Sequence, residues 1–481
     1  MIQPRQFLVL LTLAVIAAFA LGVDATLNKP AQTWRDKLSK PKHPDFKQYR
    51  PILSLSPDEF PTDDPERRVI LIGDIHGMEK WFLRLLKKVA YDGQHDVLVH
   101  TGDILTRGRH KGSMRIVDFM TIHNVTGVRG NHDQKVIEWK GWLNWFNALP
   151  GASKWLAELE SAWHVDHKKG HELKPWIISR RKASRGQDAY WWNHIPEDWV
   201  PFGDHYRVAR DLKKDQYAYL LSLPLKLHIP SAHTFIVHAG LLPYDVRYDY
   251  DHKRQPLAHV PRLLSHNVSS TGTTETLRNL QELAILLRVP QNTEPWANLN
   301  LRSVLEDNSI TKDSHEGTPW ATYWNKQMDL CDGFHPRKAV IKVQDPNAIS
   351  PLSDGPDKSL PCYPASVIHG HTASRGLDIS RYSFGLDTGC VYGRNLTAMI
   401  LGPNPLPRRE EWEEIDYEAE DGDESFEDAW MDLDNDDYDD EYEVPDLIES
   451  MSVEYPRSRK RARTIKFGDH GQAKIVEVSC S

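Results

Sequence analysis

The sequence predicts an α/β fold in which several strands end at one edge of a sheet. Short, continuous apolar runs rich in β-branched residues are typical of strands that are buried on both faces. Residues 69–72 form the first such run, which ends at Gly73, and apolar side chains recur at helical spacing after Gly77. Strands that alternate with helices place their carboxyl ends together, where open α/β folds bind ligands.

Each of five predicted strands is followed by polar side chains that can bind metal ions. The motifs are Gly73-Asp74-Ile75-His76-Gly77, Gly102-Asp103-Ile104-Leu105-Thr106-Arg107-Gly108, Gly130-Asn131-His132-Asp133, Val237-His238-Ala239-Gly240 and Gly370-His371-Thr372. Carboxylate, imidazole and amide groups at successive strand ends are what a two-metal hydrolytic site requires, and Asp103 has two oxygens with which to bridge the cations. Each motif alone is compatible with an ordinary loop, so the prediction depends on the set of five.

Three further residues are candidates for contact with a phosphorylated substrate. His132 lies next to a predicted ligand and can protonate a leaving oxygen. Arg107 and Arg129 can hold phosphate oxygens in a bidentate fork. His369 also lies beside a predicted ligand, but side chains alternate along a strand, so we expect it to be packed or hydrogen-bonded. The metal is left open, since Zn, Mn, Co, Fe and Mg all accept such ligands.

The motifs together resemble those of calcineurin-like metallophosphoesterases of the phosphoprotein-phosphatase type. Residues 386–393, with 396–398, resemble the branch that contains the symmetrical diadenosine tetraphosphatases. Residues 317–325 are similar to the fungal vacuolar endopolyphosphatases that carry an N-terminal anchor. The resemblance covers residues 65–403, which we predict to form one catalytic domain.

This resemblance implies a four-layer α/β/β/α sandwich with a helical cap insertion and two divalent metal ions. The implied ligands of the first metal are Asp74, His76 and Asp103, and those of the second are Asp103, Asn131, His238 and His371. His132 is implied to be the general acid. Arg107 and Arg129 are implied to hold phosphate.

The resemblance also implies a metal-dependent phosphohydrolase, for which three functions are open. The first is an endopolyphosphatase that cleaves inorganic polyphosphate internally in a vacuole-like lumen. The second is a serine/threonine protein phosphatase or a bis(5'-nucleosyl)-tetraphosphatase that uses the same two-metal site. The third is a non-catalytic binding protein, which the intact set of ligands disfavours.

One position departs from the family pattern. The family usually has Gly-Asp-x-x-Asp-Arg-Gly, in which the second aspartate orients the catalytic histidine, whereas this chain has Thr106. A hydroxyl accepts a hydrogen bond but cannot stabilise an imidazolium by charge. We therefore expect His132 to be a weaker acid, unless Asp133 takes over. A weaker acid favours phosphoanhydrides over phosphomonoesters as substrates, because a leaving phosphate needs less protonation than a leaving alkoxide.

The first 25 residues predict a signal anchor or a signal peptide. Residues 7–23 carry no charge and follow Arg5, a pattern at the lower limit for a membrane span and the upper limit for a signal-peptide core. We favour an uncleaved single-pass anchor in the vacuole membrane, with the catalytic domain in the lumen. The alternative is a secreted protein or another compartment of the secretory pathway. Asn267 is the plausible glycan acceptor.

Four cysteines are too few to define a disulfide scaffold. Cys331 and Cys362 flank one loop, and their pairing in an oxidising lumen is left open. Cys390 lies in an apolar run and is predicted to be buried, whereas Cys480 lies in a predicted tail.

Charge divides the chain near Pro407. Residues 410–449 contain 22 Asp and Glu and no Lys or Arg, so the whole-chain balance of 59 basic against 68 acidic residues becomes 59 against 46, or +13, without them. A basic body suits a polyanion such as polyphosphate, and nucleic acid is an unlikely partner because no binding module is recognisable. Residues 408–481 are predicted to be a disordered tail, first acidic and then basic.

The segment 152–214 separates the third and fourth motifs and is long for a simple connection. It is rich in tryptophan and in basic residues. We expect a mainly helical cap that places these basic side chains over the metal edge. The alternative is that the tryptophans pack in a core and the charges form an ordinary solvated face.

Overall fold

Two six-stranded β-sheets and one three-stranded sheet form the framework of the chain. The computed structural model describes residues 43–262, 270–334, 359–402, 463–469 and 471–481. The strands are β1 Leu53–Ser54, β2 Arg68–Ile72, β3 Asp96–His100, β4 Thr126–Gly127, β5 Lys226–Ile229, β6 Thr234–Val237, β7 Ser303–Val304, β8 Ile310–Thr311, β9 Thr318–Pro319, β10 Ser366–His369, β11 Asp378–Ile379, β12 Ser383–Gly385, β13 Asn395–Leu401, β14 Arg463–Phe467 and β15 Gly471–Ser479.

Twelve α-helices accompany the strands in the described residues. They are α1 Glu79–Lys88, α2 His110–Ile122, α3 Asn131–Asn147, α4 Ala152–His167, α5 Leu173–Ala183, α6 Gly186–Trp192, α7 Asp204–Asp211, α8 Lys214–Ser222, α9 Ser270–Arg288, α10 Pro290–Thr293, α11 Pro295–Asn300 and α12 Trp320–Met328. Short 3₁₀ turns lie at Pro230–Ala232, Ala373–Arg375 and Cys390–Tyr392.

The order of the strands separates the chain into two mixed sheets. The first sheet has the order β14-β15-β13-β2-β3-β4, and the second has the order β1-β5-β6-β10-β12-β11. β2, β3 and β4 are parallel, as are β6, β10 and β12. The predicted ligands follow strands in these two parallel groups, so their loops leave the sheets in a common direction.

Side chains of single strands alternate between two cores. In β2, Val69 and Leu71 pack between the sheets, whereas Ile70 and Ile72 pack with the helices α1 to α4 on the outer face. The second sheet repeats this pattern, because Ile236 lies in the core between the sheets and its neighbours in β6 pack with α9 and α12. Alternation of this kind produces four layers, α/β/β/α, which confirms the predicted fold class.

The tryptophans of the segment 152–214 pack in a core. This segment contains α4, α5, α6 and α7. Trp163, Trp176, Trp191 and Trp192 are buried in the cluster that also includes α3. The observed packing agrees with the second interpretation of this segment. α7 nevertheless reaches the candidate active site, as described below.

The prediction of a disordered tail is wrong for residues 463–481. β15 pairs antiparallel with β13 over seven residues, and β14 pairs antiparallel with β15 over five. Ile465 and Ile475 pack in the core between the sheets, and Val476 and Val478 pack against the helices. This period-2 alternation is the sequence signal of a hairpin, and the neighbouring acidic tract obscured it. The acidic tract itself lies outside the described residues.

Two disulfides link the described parts of the chain. Cys331 pairs with Cys362, which answers the question that the sequence left open. Cys390 pairs with Cys480, so the end of β15 is covalently joined to the loop that precedes β13. Cys390 is buried, as predicted. The second pairing was missed because Cys480 was assigned to the tail.

The predicted membrane segment at residues 7–23 lies outside the described residues, as does the predicted glycan acceptor Asn267. Among the described residues, no helix has both the length and the apolar character that a membrane span needs.

Candidate active site

The loops that follow five strands bring all six predicted ligands to one place. Asp74 and His76 follow β2, Asp103 follows β3 and Asn131 begins α3 after β4, while His238 and His371 follow β6 and β10. The backbone N–H of His371 donates to the Asp74 carboxylate at 3.1 Å. The ring Nδ1 of His238 lies 2.9 Å from the backbone oxygen of Thr101. These contacts join the loops of the two sheets directly.

Asp103 lies at the centre of two groups of possible metal ligands. One group is Asp74, His76 and Asp103, and the other is Asp103, His238 and His371. Within each group the ligand atoms lie within 4.8 Å of one another, and all the side chains are buried. Asn131 extends the second group, since its Oδ1 lies 2.9 Å from Nε2 of His238. The shared carboxylate therefore has the position that a bridging ligand requires.

Three carboxyl groups around Asp103 have a raised pKa. Burial, followed by the Asp387 and Asp103 carboxylates, raises the pKa of Asp74 well above its usual value. Burial and Asp103 also raise the pKa of Asp133 to about 7, and burial is the main cause that raises that of Asp387 to about 6. Bound cations would favour the charged forms and so remove this cost.

Two of the three histidine ligands are held in the neutral form, whereas at His238 the effect of burial is outweighed by Asp103, which raises the pKa. Burial lowers the pKa of His76 to about 4, and burial together with Arg302 lowers that of His371 well below its usual value. Both rings are therefore neutral near pH 7, which is the form that coordinates metals. Nε2 of His371 is buried and has no hydrogen-bond partner among the described residues. The donor set therefore fits a pair of divalent metal ions.

Backbone geometry explains why the motifs contain glycine. A Cβ atom at Gly130 would lie 2.0 Å from Oδ1 of Asp103, and one at Gly370 would lie 2.0 Å from Oδ1 of Asp74. The ligands themselves carry strain, because His76, Asp103 and His371 have φ angles of 48°, 48° and 72°. Non-glycine residues rarely adopt this left-handed region, and such strain is concentrated at functional sites.

His132 lies beside the metal ligands and contacts three other side chains. Its Nδ1 is 3.2 Å from Oγ1 of Thr106 and 2.9 Å from Nε2 of His205. Nε of Arg107 donates to its Nε2 at 3.2 Å. Burial, followed by Arg107 and His205, lowers the pKa of His132 well below its usual value. Thr106 thus occupies the place at which the family pattern has an aspartate.

Arg107 is the predicted phosphate ligand that remains accessible. Its side chain is partly exposed, and its Nη1 donates to the phenol oxygen of Tyr392. Tyr392 is 47 % exposed, and the guanidinium groups of Arg107 and Arg394 lie 5.9 and 5.8 Å from its ring centroid. Two cationic side chains therefore meet at an exposed aromatic ring beside His132.

The predicted role of Arg129 in holding phosphate is wrong. Its side chain is fully buried, and its guanidinium donates to the backbone oxygens of Gln48, Leu220 and Leu221 and to Oε1 of Gln134. These bonds engage both terminal nitrogens of the guanidinium inside the fold. The position of Arg129 next to the Gly-Asn-His-Asp motif suggested proximity to substrate, but its side chain instead joins α8 to the segment around Gln48.

Sequence reasoning missed three residues at the site. Asp387 follows β12, and the pattern of a strand run followed by a carboxylate was the available signal. Arg302 lies within hydrogen-bond reach of the backbone oxygen of His371 at 3.2 Å, and no motif marks it. His205 reaches His132 from α7, across a gap in sequence of 73 residues that no local pattern bridges.

Fold and site together define a metal-dependent phosphohydrolase. A profile of calcineurin-like phosphoesterases matches residues 67–223, which include the ligands Asp74, Asp103 and Asn131. A symmetrical bis(5'-nucleosyl)-tetraphosphatase from Haemophilus ducreyi is 40 % identical over 351 residues, covering 71 % of this chain and 97 % of that protein. The chain belongs to the calcineurin-like metallophosphoesterases, a family of hydrolases that use two divalent metals.

Other relatives differ in substrate. A zinc-dependent endopolyphosphatase from Saccharomyces cerevisiae is 21 % identical over 359 residues, covering 72 % of this chain and 79 % of that protein. Serine/threonine-protein phosphatase 1 from Salmonella typhimurium is 25 % identical over 174 residues, covering 27 % of this chain and 79 % of that protein. The solved structure of a serine/threonine phosphatase from S. cerevisiae aligns over 77 % of this chain and 86 % of that chain, with 12 % identity and a TM-score of 0.30.

Proposed function

We propose that this protein is an endopolyphosphatase that cleaves inorganic polyphosphate at internal phosphoanhydride bonds. The observation that carries the proposal is Thr106, whose uncharged oxygen lies 3.2 Å from Nδ1 of His132. A hydroxyl stabilises a protonated imidazole less than a carboxylate does, so proton donation by His132 is weak. Weak proton donation slows the hydrolysis of phosphoanhydrides least, because a phosphate leaving group needs little protonation.

Charge and relatives support a long polyanion as the substrate. The chain without residues 410–449 has 59 basic and 46 acidic residues. Arg107 and Arg394 lie at the same exposed Tyr392 ring, where neighbouring phosphates of one chain could each meet a guanidinium. The yeast endopolyphosphatase is similar over most of both chains.

In the proposed mechanism the metal ions and the side chains have different roles. Two divalent ions held by Asp74, His76, Asp103, Asn131, His238 and His371 would polarise a phosphoryl oxygen and lower the pKa of a water molecule. Burial raises the pKa of Asp103, but His238 and the backbone N–H of His132 lower it by more, so Asp103 stays ionised and keeps the two ligand groups together. Arg107 binds and orients the phosphate, and His132 offers its Nε2 to the leaving oxygen.

A second candidate function is hydrolysis of dinucleoside tetraphosphates or phosphoproteins at the same site. The 40 % identity to the H. ducreyi tetraphosphatase favours the former, which is also a phosphoanhydride substrate. The serine/threonine phosphatase relatives support the latter, although Thr106 argues against an alkoxide leaving group.

We further propose that the catalytic domain works in a vacuole-like lumen, attached to the membrane by residues 7–23. The uncharged segment supports an anchor. The disulfides Cys331–Cys362 and Cys390–Cys480 support an oxidising compartment, because cytosolic thiols are kept reduced. Microscopy of the tagged protein, with and without residues 1–25, tests this localisation.

A comparison of the hydrolysis rates of three substrates tests the proposed substrate. Full-length protein is incubated with long polyphosphate, diadenosine tetraphosphate or a phosphothreonine peptide under Zn, Mn, Co and Mg in turn, with Asp103→Asn as the inactive control. We expect polyphosphate to be the best substrate and to yield intermediate lengths early. Orthophosphate as the sole early product would contradict internal cleavage, and faster turnover of the dinucleotide or the peptide would favour the second function.

A further inference from the structure

α7 begins at the site and presents His205 to the proposed proton donor. The carboxylate of Asp204, the first residue of α7, accepts a hydrogen bond from the backbone N–H of Arg107. His205 follows, with its ring stacked on that of His132 at a centroid distance of 5.0 Å and an interplanar angle of 16°. Tyr206 is buried and packs edge-to-face with Trp139 at 5.3 Å. The neighbours on both sides of His205 are thus fixed, which holds its ring in place.

Hydrogen bonding around His132 determines which ring nitrogen carries the proton. Nε of Arg107 is a donor, so Nε2 of His132 accepts at 3.2 Å. In the neutral ring the proton is therefore on Nδ1. The hydroxyl of Thr106 donates to the backbone oxygen of Leu105 at 2.6 Å, so Oγ1 can only accept from Nδ1. Nε2 of His205 is the second acceptor and, at 2.9 Å, lies closer than Oγ1 of Thr106 at 3.2 Å.

We propose that His205 is a positioning residue for His132. It accepts the Nδ1–H and so holds the ring with Nε2 facing the leaving oxygen of the substrate. In the family pattern an aspartate at the position of Thr106 has this task. Here a ring nitrogen from α7, a helix in the segment between the third and fourth motifs, takes it over. The inference rests on the proposed role of His132 but not on which phosphorylated compound is the natural substrate.

The reaction step that depends on this contact is the departure of the leaving group. A water oxygen forms a bond to phosphorus and releases a proton to solvent, while the bond from phosphorus to the leaving oxygen breaks. When substrate binds, Arg107 moves its donors from Nε2 of His132 to the substrate phosphate, and Nε2 takes up a proton from solvent. The leaving oxygen keeps the electron pair of the broken bond and takes that proton from Nε2. His132 is then neutral again, with its Nδ1–H still donated to His205.

The test measures how the rate depends on the leaving group. Aryl phosphates are compared from phenyl phosphate, a poor leaving group, to 2,4-dinitrophenyl phosphate, which needs no protonation. His205→Phe keeps a stacking ring but has no acceptor, and His205→Gln keeps an acceptor near the position of Nε2. We expect His205→Phe to lower kcat for phenyl phosphate by about 10–100-fold and that for the dinitrophenyl ester by less than about 3-fold. His205→Gln should restore most of the loss.

Controls separate this proposal from a structural effect and from the proposed function. Equal loss across the series, no loss at all, or failure of His205→Gln to restore the rate would each overturn the role of His205. His132→Gln must show the same leaving-group dependence, and a flat response there would refute His132 as the donor and His205 with it. Failure of the wild-type protein to cleave polyphosphate would reject the endopolyphosphatase function and leave the aryl phosphate result valid.

Discussion

Thr106 lies in a backbone region that β-branched residues avoid, with a φ of 68°, and is fully buried. Aspartate tolerates this conformation better than threonine does, so the choice of threonine is not dictated by the fold. Its effect is instead on the neighbouring ring of His132, where a neutral acceptor replaces the charged one of the family pattern. The side chain at position 106 thus affects which leaving groups His132 can protonate.

Thr106→Asp is expected to raise the rate of phosphomonoester hydrolysis by about tenfold or more and that of polyphosphate hydrolysis by less than about threefold. The reason is that only the alkoxide or phenoxide leaving group needs a strong proton donor, which a carboxylate beside His132 would provide. Steady-state rates on both substrates measure the effect. Thr106→Asn is the matched control, with the same shape and no charge. Equal stimulation of both substrates would mean that this position does not act through His132.

Asp103→Asn is expected to lower hydrolysis of any substrate by about 10³-fold or more, because an amide cannot neutralise two cations. The fold should be retained, since the amide oxygen can still accept the backbone N–H of His132, which lies 2.9 Å from the carboxylate. Activity, metal content and thermal midpoint are measured together. Asp58→Asn, at an exposed carboxylate, should match the wild type in all three. Wild-type turnover with unchanged metal content would refute the bridging role.

The metal ligands could be predicted from sequence because each lies within four residues of the end of a strand, so a local pattern is enough. Arg129 also lies next to a motif, but which face its side chain takes depends on packing against α8, which no local pattern records. Arg302 belongs to the site through tertiary contacts alone, whereas Asp387 follows β12 and repeats the pattern of the ligands. Adjacency in sequence therefore identified ligands well and identified arginine roles poorly.

At the scale of elements, the helix α9 is fastened to the second sheet by one buried carboxylate. Glu282 is 1 % exposed and lies 2.7 Å from Nε2 of His228 on β5 and 2.8 Å from Nδ1 of His233, which follows the turn after β5. Burial alone would raise the pKa of Glu282, but the hydrogen bonds from the two imidazoles lower it below its usual value. This contact joins α9 to β5 and to the residue that follows the turn after β5.

Glu282→Gln is expected to reduce the free energy of unfolding by about 3 kcal/mol near pH 7, because it breaks a buried charge-assisted network. A lowered carboxyl pKa contributes stability that is present above the unfolded value, about 4.3, and is lost as pH falls through the folded value. The difference between variant and wild type should therefore shrink in acid. Denaturant titrations from pH 7 to pH 3 test this. Glu275→Gln, at a carboxylate 62 % exposed, should change stability by less than about 1 kcal/mol.

The strands β14 and β15 illustrate the limit of composition as a guide. Apolar residues alternate clearly along these two strands when their sequence is read alone. The acidic tract and the basic cluster that precede them nevertheless led to a prediction of disorder for the whole region. β15 pairs with β13, which ends more than 60 residues before β14 begins. No local sequence pattern could show that the hairpin of β14 and β15 adds to the edge of the sheet at β13. The helices of the segment 152–214 were easier to predict, because the spacing of apolar residues that indicates a helix lies within that helix itself.

At the scale of the whole molecule, charge is distributed unevenly along the chain. Deleting residues 410–449 is expected to strengthen polyphosphate binding at low salt, because 22 carboxylates compete for a body with a net charge of +13. The advantage should disappear as salt rises, since screening shortens such interactions to about 8 Å at physiological ionic strength. Affinities of both proteins across a salt series measure this. Superimposable curves would exclude any competition, and the deletion preserves β14 and β15 so that loss of the sheet is not the cause.

The disulfide between Cys390 and Cys480 has a consequence for proteolysis of this protein. β13 and β15 are neighbours in the sheet, and the disulfide connects the beginning of one to the end of the other. A nick anywhere in residues 403–462 would therefore divide the polypeptide without releasing either piece. The product would be a two-chain protein that migrates as one band on a non-reducing gel and separates only after reduction.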